Sequence, residues 1–98
     1  MRDQIFFVHG GTWDLRKFTL AAIRTSKNHL CISASLCSHN DNFCKKIGRD
    51  IASGRLNKNK HIVNYVFNSN KLSPIQALIT YANQMTTSVK FIKEFELE

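Results

Sequence analysis

The segment Asp41–Leu56, DNFCKKIGRDIASGRL, constrains this chain most, because apolar and small residues recur in it at helical spacing while the remaining positions carry dense charge. Phe43, Ile47 and Ile51 form one row, and Cys44, Gly48 and Ala52 form a parallel row beside it. Together they predict a single apolar stripe on a helix over about residues 41–54. Asp41, or its neighbour Asn40, can accept the backbone N–H bonds left free in the first turn. Gly48 costs about 1 kcal/mol against Ala inside a helix, so its presence implies close packing on a sheet or another backbone. Gly54 suits the left-handed residue that closes a helix.

The opposite face carries Lys45, Lys46, Arg49 and Asp50, and Arg55, Lys58 and Lys60 follow. Six of the 14 Lys and Arg residues thus fall within Lys45–Lys60, against one acid. Such a run is either a solvated helix face with a basic loop or a surface for phosphates or an acidic protein. The whole chain of 98 residues has a formal net charge of +7, which favours anionic partners without choosing among nucleic acid, membrane surface and protein. That length supports a single domain, residues 1–98, with one modest core. No segment approaches the ~20 apolar residues that span a bilayer, and the N-terminus lacks the pattern of a signal peptide. Three cysteines are an odd count, which fits reduced thiols in a cytoplasm better than a disulfide framework.

Along the chain, Ile5–Val8 reads as an edge strand or docked terminus that a turn at Gly10-Gly11 ends. Phe18–Arg24 and Leu30–Cys37 read as a hairpin around Thr25–Asn28, although Asp14–Arg24 could also form a short helix. On the second strand Leu30, Ile32, Ala34 and Leu36 take one face, and Cys31, Ser33, Ser35 and Cys37 the other. His61–Phe67 is β-rich. Ser73-Pro74-Ile75-Gln76 is a capping box that opens a helix over about 74–86, with Ile75, Leu78, Ile79, Ala82 and Met85 on its apolar side. Lys90–Leu97 reads as a last strand. The expected fold is α+β: a four- or five-stranded mixed sheet with an N-terminal hairpin and both helices on one face.

Catalytic signatures are missing. His9-Gly10-Gly11 invites comparison with an esterase oxyanion loop, but no G-x-S-x-G elbow accompanies it. There is no phosphate loop, dinucleotide fingerprint or pair of catalytic carboxylates. Asp41 is explained as a cap, and Asp50 as the partner of Lys46 four residues away. His29, Cys31, Cys37, His39 and Cys44 are a potential zinc set, but the spacing lacks a C-x₂-C knuckle. Cys31 and Cys37 would also stand ~20 Å apart on a strand. The chain therefore reads as non-enzymatic, with no metal and no cofactor. No helix-turn-helix, ribbon-helix-helix or RNA-recognition signature appears either.

The run Leu36–Leu56 resembles small proteins encoded by bacteriophages and prophages. In those a strand ending in a Cys-containing loop leads to Asp-x-Phe-x-x-Lys-x-Gly-Arg-x-Ile-Ala-x-Gly-Arg, and the hairpin before it looks similar too. The resemblance covers about a third of the chain and implies origin more than mechanism, since the family has no assigned activity. It implies a non-catalytic modulator in the host cytoplasm: an inhibitor of restriction or CRISPR defence, or a binder of host nucleic-acid machinery. Lys46, Gly48, Arg49, Gly54 and Arg55 carry over, the glycines as structural positions and the cations as contacts.

Two partner hypotheses result. In the first, Lys45, Lys46, Arg49, Arg55, Lys58 and Lys60 bind nucleic acid or an anionic nucleoprotein surface. In the second, a defence inhibitor acts by protein–protein contact with Trp13 or Tyr65 as anchor, the charges serving only to steer. Neither involves a membrane, and the oligomeric state stays open, a homodimer included.

Overall fold

The computed structural model describes residues 4–12, 16–37, 45–60 and 62–87. Strands β1 (Phe6–Gly11), β2 (Lys17–Ser26) and β3 (His29–Leu36) lead into helix α1 (Lys45–Asn57), strand β4 (Val63–Val66) and helix α2 (Pro74–Thr87). The fold is α+β, and its sheet has the order β1-β2-β3-β4. Every pairing among the four described strands is antiparallel, which corrects the expected mixed sheet for those strands. For β1–β2 and β2–β3 the physical reason lies in the connections: residues 12–16 and the Lys27-Asn28 turn are too short for the crossover that parallel neighbours need. The expected β2–β3 hairpin is present, with a register shift between Arg24 and Ser26. Arg24 steadies its turn, donating from Nη2 to the Lys27 carbonyl at 2.7 Å.

Gly10 and Gly11 do not form a turn. They continue β1 opposite Phe18 and Lys17. A Cβ on Gly10 would stand 2.6 Å from the ring of the fully buried Phe18, so glycine is required there by close approach rather than by a bend. The chain reverses after it, where Thr12 accepts from the Arg16 N–H at 3.0 Å and its own N–H donates to the Arg16 carbonyl at 2.7 Å.

The helices lie on opposite faces of the sheet, which corrects the expectation of a shared face. Leu20 and Ala22 of β2, with Leu30 and Ile32 of β3, pack against Leu78, Tyr81 and Met85 of α2. Ala21 and Cys31, their neighbours in sequence, point the other way and pack against Ala52 and Leu56 of α1. β2 and β3 are therefore buried on both sides, and Ser33 is as buried as Leu30. On the second interior face the buried strand residues are small, and larger side chains such as Ile5, Phe7, Ile23 and Ile62 are only partly buried around them.

α2 begins as expected. The Ser73 N–H donates to Gln76 Oε1 at 3.0 Å and the Gln76 N–H donates to Ser73 Oγ at 3.3 Å, a reciprocal cap. Tyr65 meets Tyr81 edge-on, with ring centroids 5.0 Å apart. The strand expected over Lys90–Leu97 lies outside the described residues. No helix among the described residues is long and apolar enough to cross a membrane.

Candidate nucleic-acid interface

α1 turns only one of its two expected rows to the sheet. Gly48, Ala52 and Leu56 are buried. Ile47 is 58% and Ile51 39% exposed, so the expected Ile47–Ile51 core row is corrected. The sheet beneath offers Ala21, Cys31 and Ser33, a shallow surface that only a small-residue row approaches closely. Asp41, Phe43 and Cys44 lie outside the described residues.

This rotation divides the six expected contact residues. Lys46 projects into solvent and pairs with Asp50 at 3.1 Å, the spacing expected of them, with side chains 78% and 66% exposed. An exposed pair of this kind contributes about 0.3–0.5 kcal/mol. Arg55, by contrast, is half-buried, and its Nη1 donates to the Ala34 carbonyl at 2.7 Å. The β3–β4 register ends at Ile32 and Val63, so Arg55 serves a stretch of β3 beyond that pairing. Burial lowers its guanidinium below the ordinary arginine value. Arg55 is thus a bolt between α1 and the sheet rather than a free contact.

Lys58 and Lys60 lie at the helix end, which comes later than Gly54. Gly54 has ordinary helical backbone, and a Cβ there would meet nothing within 4 Å. Asn59 takes the left-handed conformation instead, with φ 58°. The Lys60 N–H donates to the Arg55 carbonyl at 2.9 Å and the Asn59 N–H to the Leu56 carbonyl at 3.1 Å. This paired pattern closes a helix and directs the chain back along β3. The backbone of Lys60 is engaged on both sides, its carbonyl accepting from Ser33 Oγ at 3.5 Å, while its side chain and that of Lys58 are exposed.

Lys45 and Arg49 face a group of residues that sequence spacing did not join to them. The β1–β2 register sets Gly11 opposite Lys17 and His9 opposite Thr19. His9 Nδ1 lies 2.8 Å from Thr19 Oγ1. Burial lowers the His9 pKa from its ordinary 6.5, and the charges of Lys45 and Arg49 lower it further. His9, Gly10, Gly11, Lys17 and Lys45 line an open cavity of about 340 Å³. Asp50 is the one carboxylate among the described residues, and it is held by Lys46. The cavity is therefore cationic in its described lining. Its only prior signal was the hairpin register, which depends on recognising Gly10-Gly11 as strand.

Among the described residues no three His, Cys, Asp or Glu side chains come together as a metal site would require. Cys31 is buried and its thiol is pushed up by desolvation, as for a small apolar residue. The exposed His29 meets Ser26 Oγ at 2.7 Å. His39 and Cys44 lie outside the described residues, as does Trp13. Tyr65, the other expected anchor, is committed to Tyr81 and the core.

Comparison with protein-family models, with curated proteins and with solved structures finds no match to this chain.

Proposed function

We propose that this protein is a non-catalytic accessory protein of bacteriophage type that binds nucleic acid, alone or within a nucleoprotein complex, through the basic side of α1. One observation carries this reading: Lys45 lines one cavity with His9 and Lys17, and the charges of Lys45 and Arg49 both act on the His9 ring. Cations gathered this way attract phosphates and release counterions on binding. Lys58 and Lys60 extend the charge beyond the helix end, while Lys46 and Arg55 contribute less because each has an internal partner. The phage origin rests on the Leu36–Leu56 resemblance.

The test is a titration of labelled double- and single-stranded DNA and RNA at about 50 and 200 mM salt. Binding by several phosphate contacts loses at least about tenfold in affinity over that interval. Absence of binding to all four at the lower salt overturns the reading.

A second reading has its own observation. Ile47 and Ile51 are neighbouring exposed apolar side chains on the flank of α1 that also carries Arg55. A defence inhibitor acting by protein contact would use them as its apolar centre, with the cations steering approach. It predicts no binding to naked nucleic acid, and loss of inhibition from Ile47→Asp.

A further inference from the structure

Resting on the nucleic-acid reading, we propose that the cavity between the end of β1 and the start of the described part of α1 is the seat for one phosphate group of the bound strand, with Lys17 and Lys45 as its charged walls and Gly11 as its open floor. Three independent features of the fold point there. First, the lysines come from different elements, one from β2 and one from α1, yet line the same cavity of about 340 Å³. A solvated charge run along one helix does not produce such convergence. Second, neither lysine has an ion-pair partner among the described residues, where Lys46–Asp50 is the one ion pair.

Third, the wall opposite α1 is kept low. A Cβ on Gly11 would lie 3.8 Å from Lys17 Nζ and 3.7 Å from the Arg16 carbonyl oxygen. Those are ordinary contacts, so nothing in the packing demands glycine at this position, and its φ is not positive. What a side chain at Gly11 would do is stand against Lys17, in the cavity. Close approach of a ligand explains a glycine that neither sterics nor backbone conformation requires. His9 completes the lining, with one ring nitrogen turned to Thr19. Lysine ammoniums suit a phosphate as compact point charges with three donors each.

The chemistry recognised is a phosphate group, whether from a strand or free in solution, and the experiment separates the two. Inorganic phosphate is titrated into the whole chain while the backbone amide resonances of Gly10, Gly11 and Lys17 are followed. Saturable shifts there, abolished in Lys17→Gln, are expected; their absence overturns the seat as a site for the free ion. In parallel, strand affinity is measured for Lys17→Gln, Gly11→Leu and, as a control of equal charge change, Lys71→Gln in the loop before α2. Lys17→Gln is expected to weaken binding about tenfold and to reduce the slope of log affinity against log salt by about 0.9, the value of one lost phosphate contact. Gly11→Leu is expected to weaken binding with an unchanged far-ultraviolet spectrum, and Lys71→Gln to leave it within about twofold. Wild-type affinity in both Lys17→Gln and Gly11→Leu overturns the seat while the nucleic-acid reading stands. If the wild type binds no strand at all, that reading falls, and the phosphate titration alone decides the cavity.

Discussion

The two faces of the sheet are built from different materials. Between the sheet and α2 lie Phe18, Leu20, Leu30 and Ile32 of the strands and Leu78, Tyr81 and Met85 of the helix, all fully buried. Each such side chain contributes about 1.5–3 kcal/mol by leaving water. Under α1 the buried residues are Ala21, Cys31, Ala52 and Leu56, beside the buried hydroxyls of Thr19 and Ser33. The contrast teaches how a short chain divides its work. One face holds the large apolar core. The other holds a helix by close approach, by the Arg55 guanidinium on Ala34 and by Ser33 on the Lys60 carbonyl, which leaves its rim for charge.

The comparison can be broken most directly by truncation. Leu78→Ala is expected to cost about 3 kcal/mol and Leu56→Ala about half of that, as read from urea midpoints. Equal losses would mean that the α1 face carries as much of the core as the α2 face. Next in size is the bolt. Arg55→Ala should cost about 2 kcal/mol, since it removes a charged donor from a carbonyl, and Arg55→Lys should recover only part of it. If Arg55→Ala is instead silent in stability but weakens strand binding, Arg55 is a contact after all.

Gly54→Ala should stabilise the protein by about 0.5–1 kcal/mol, because the position is helical and open. A loss of stability there would show that Gly54 is not in the open helical position described. The smallest effect concerns pH. His9 binds protons less readily in the fold than in the unfolded chain. Its contribution to stability is therefore present above the unfolded value of 6.5 and is lost as pH falls from there through the lower folded value. Urea midpoints at about pH 7.5 and 5.5 should show that decline, and His9→Gln, which keeps a partner for Thr19, should shrink it.

Local signals were legible in the sequence where neighbours in the chain decide the outcome. The Ser73–Gln76 cap, the β2–β3 hairpin and the Lys46–Asp50 pair all depend on spacings of a few residues. The buried side of α1 was half legible: the Gly48–Ala52 row was expected against the sheet and is buried, but hydrophobicity also favours Ile47 and Ile51, which the shape of a distant sheet face leaves exposed. The opposite-face arrangement was written in β3, where Cys31, Ser33 and Ser35 alternate with large residues. Small and hydroxylated side chains resemble a solvent face until a helix is known to cover them. The cavity at His9 and Lys17 was hidden for a related reason: two glycines read as a turn, and the strand they continue is what brings those residues to α1.

The order of strands in the described sheet is also their order in the chain. Each strand after the first therefore has its partner already in the chain when it leaves the ribosome, and the first three are joined by short connections. β4 is the exception, separated from β3 by the whole of α1. Until that helix has been synthesised and docked, the outer edge of β3 waits unpaired. The helix that bears the charge thus stands in the chain between the third strand and its last partner.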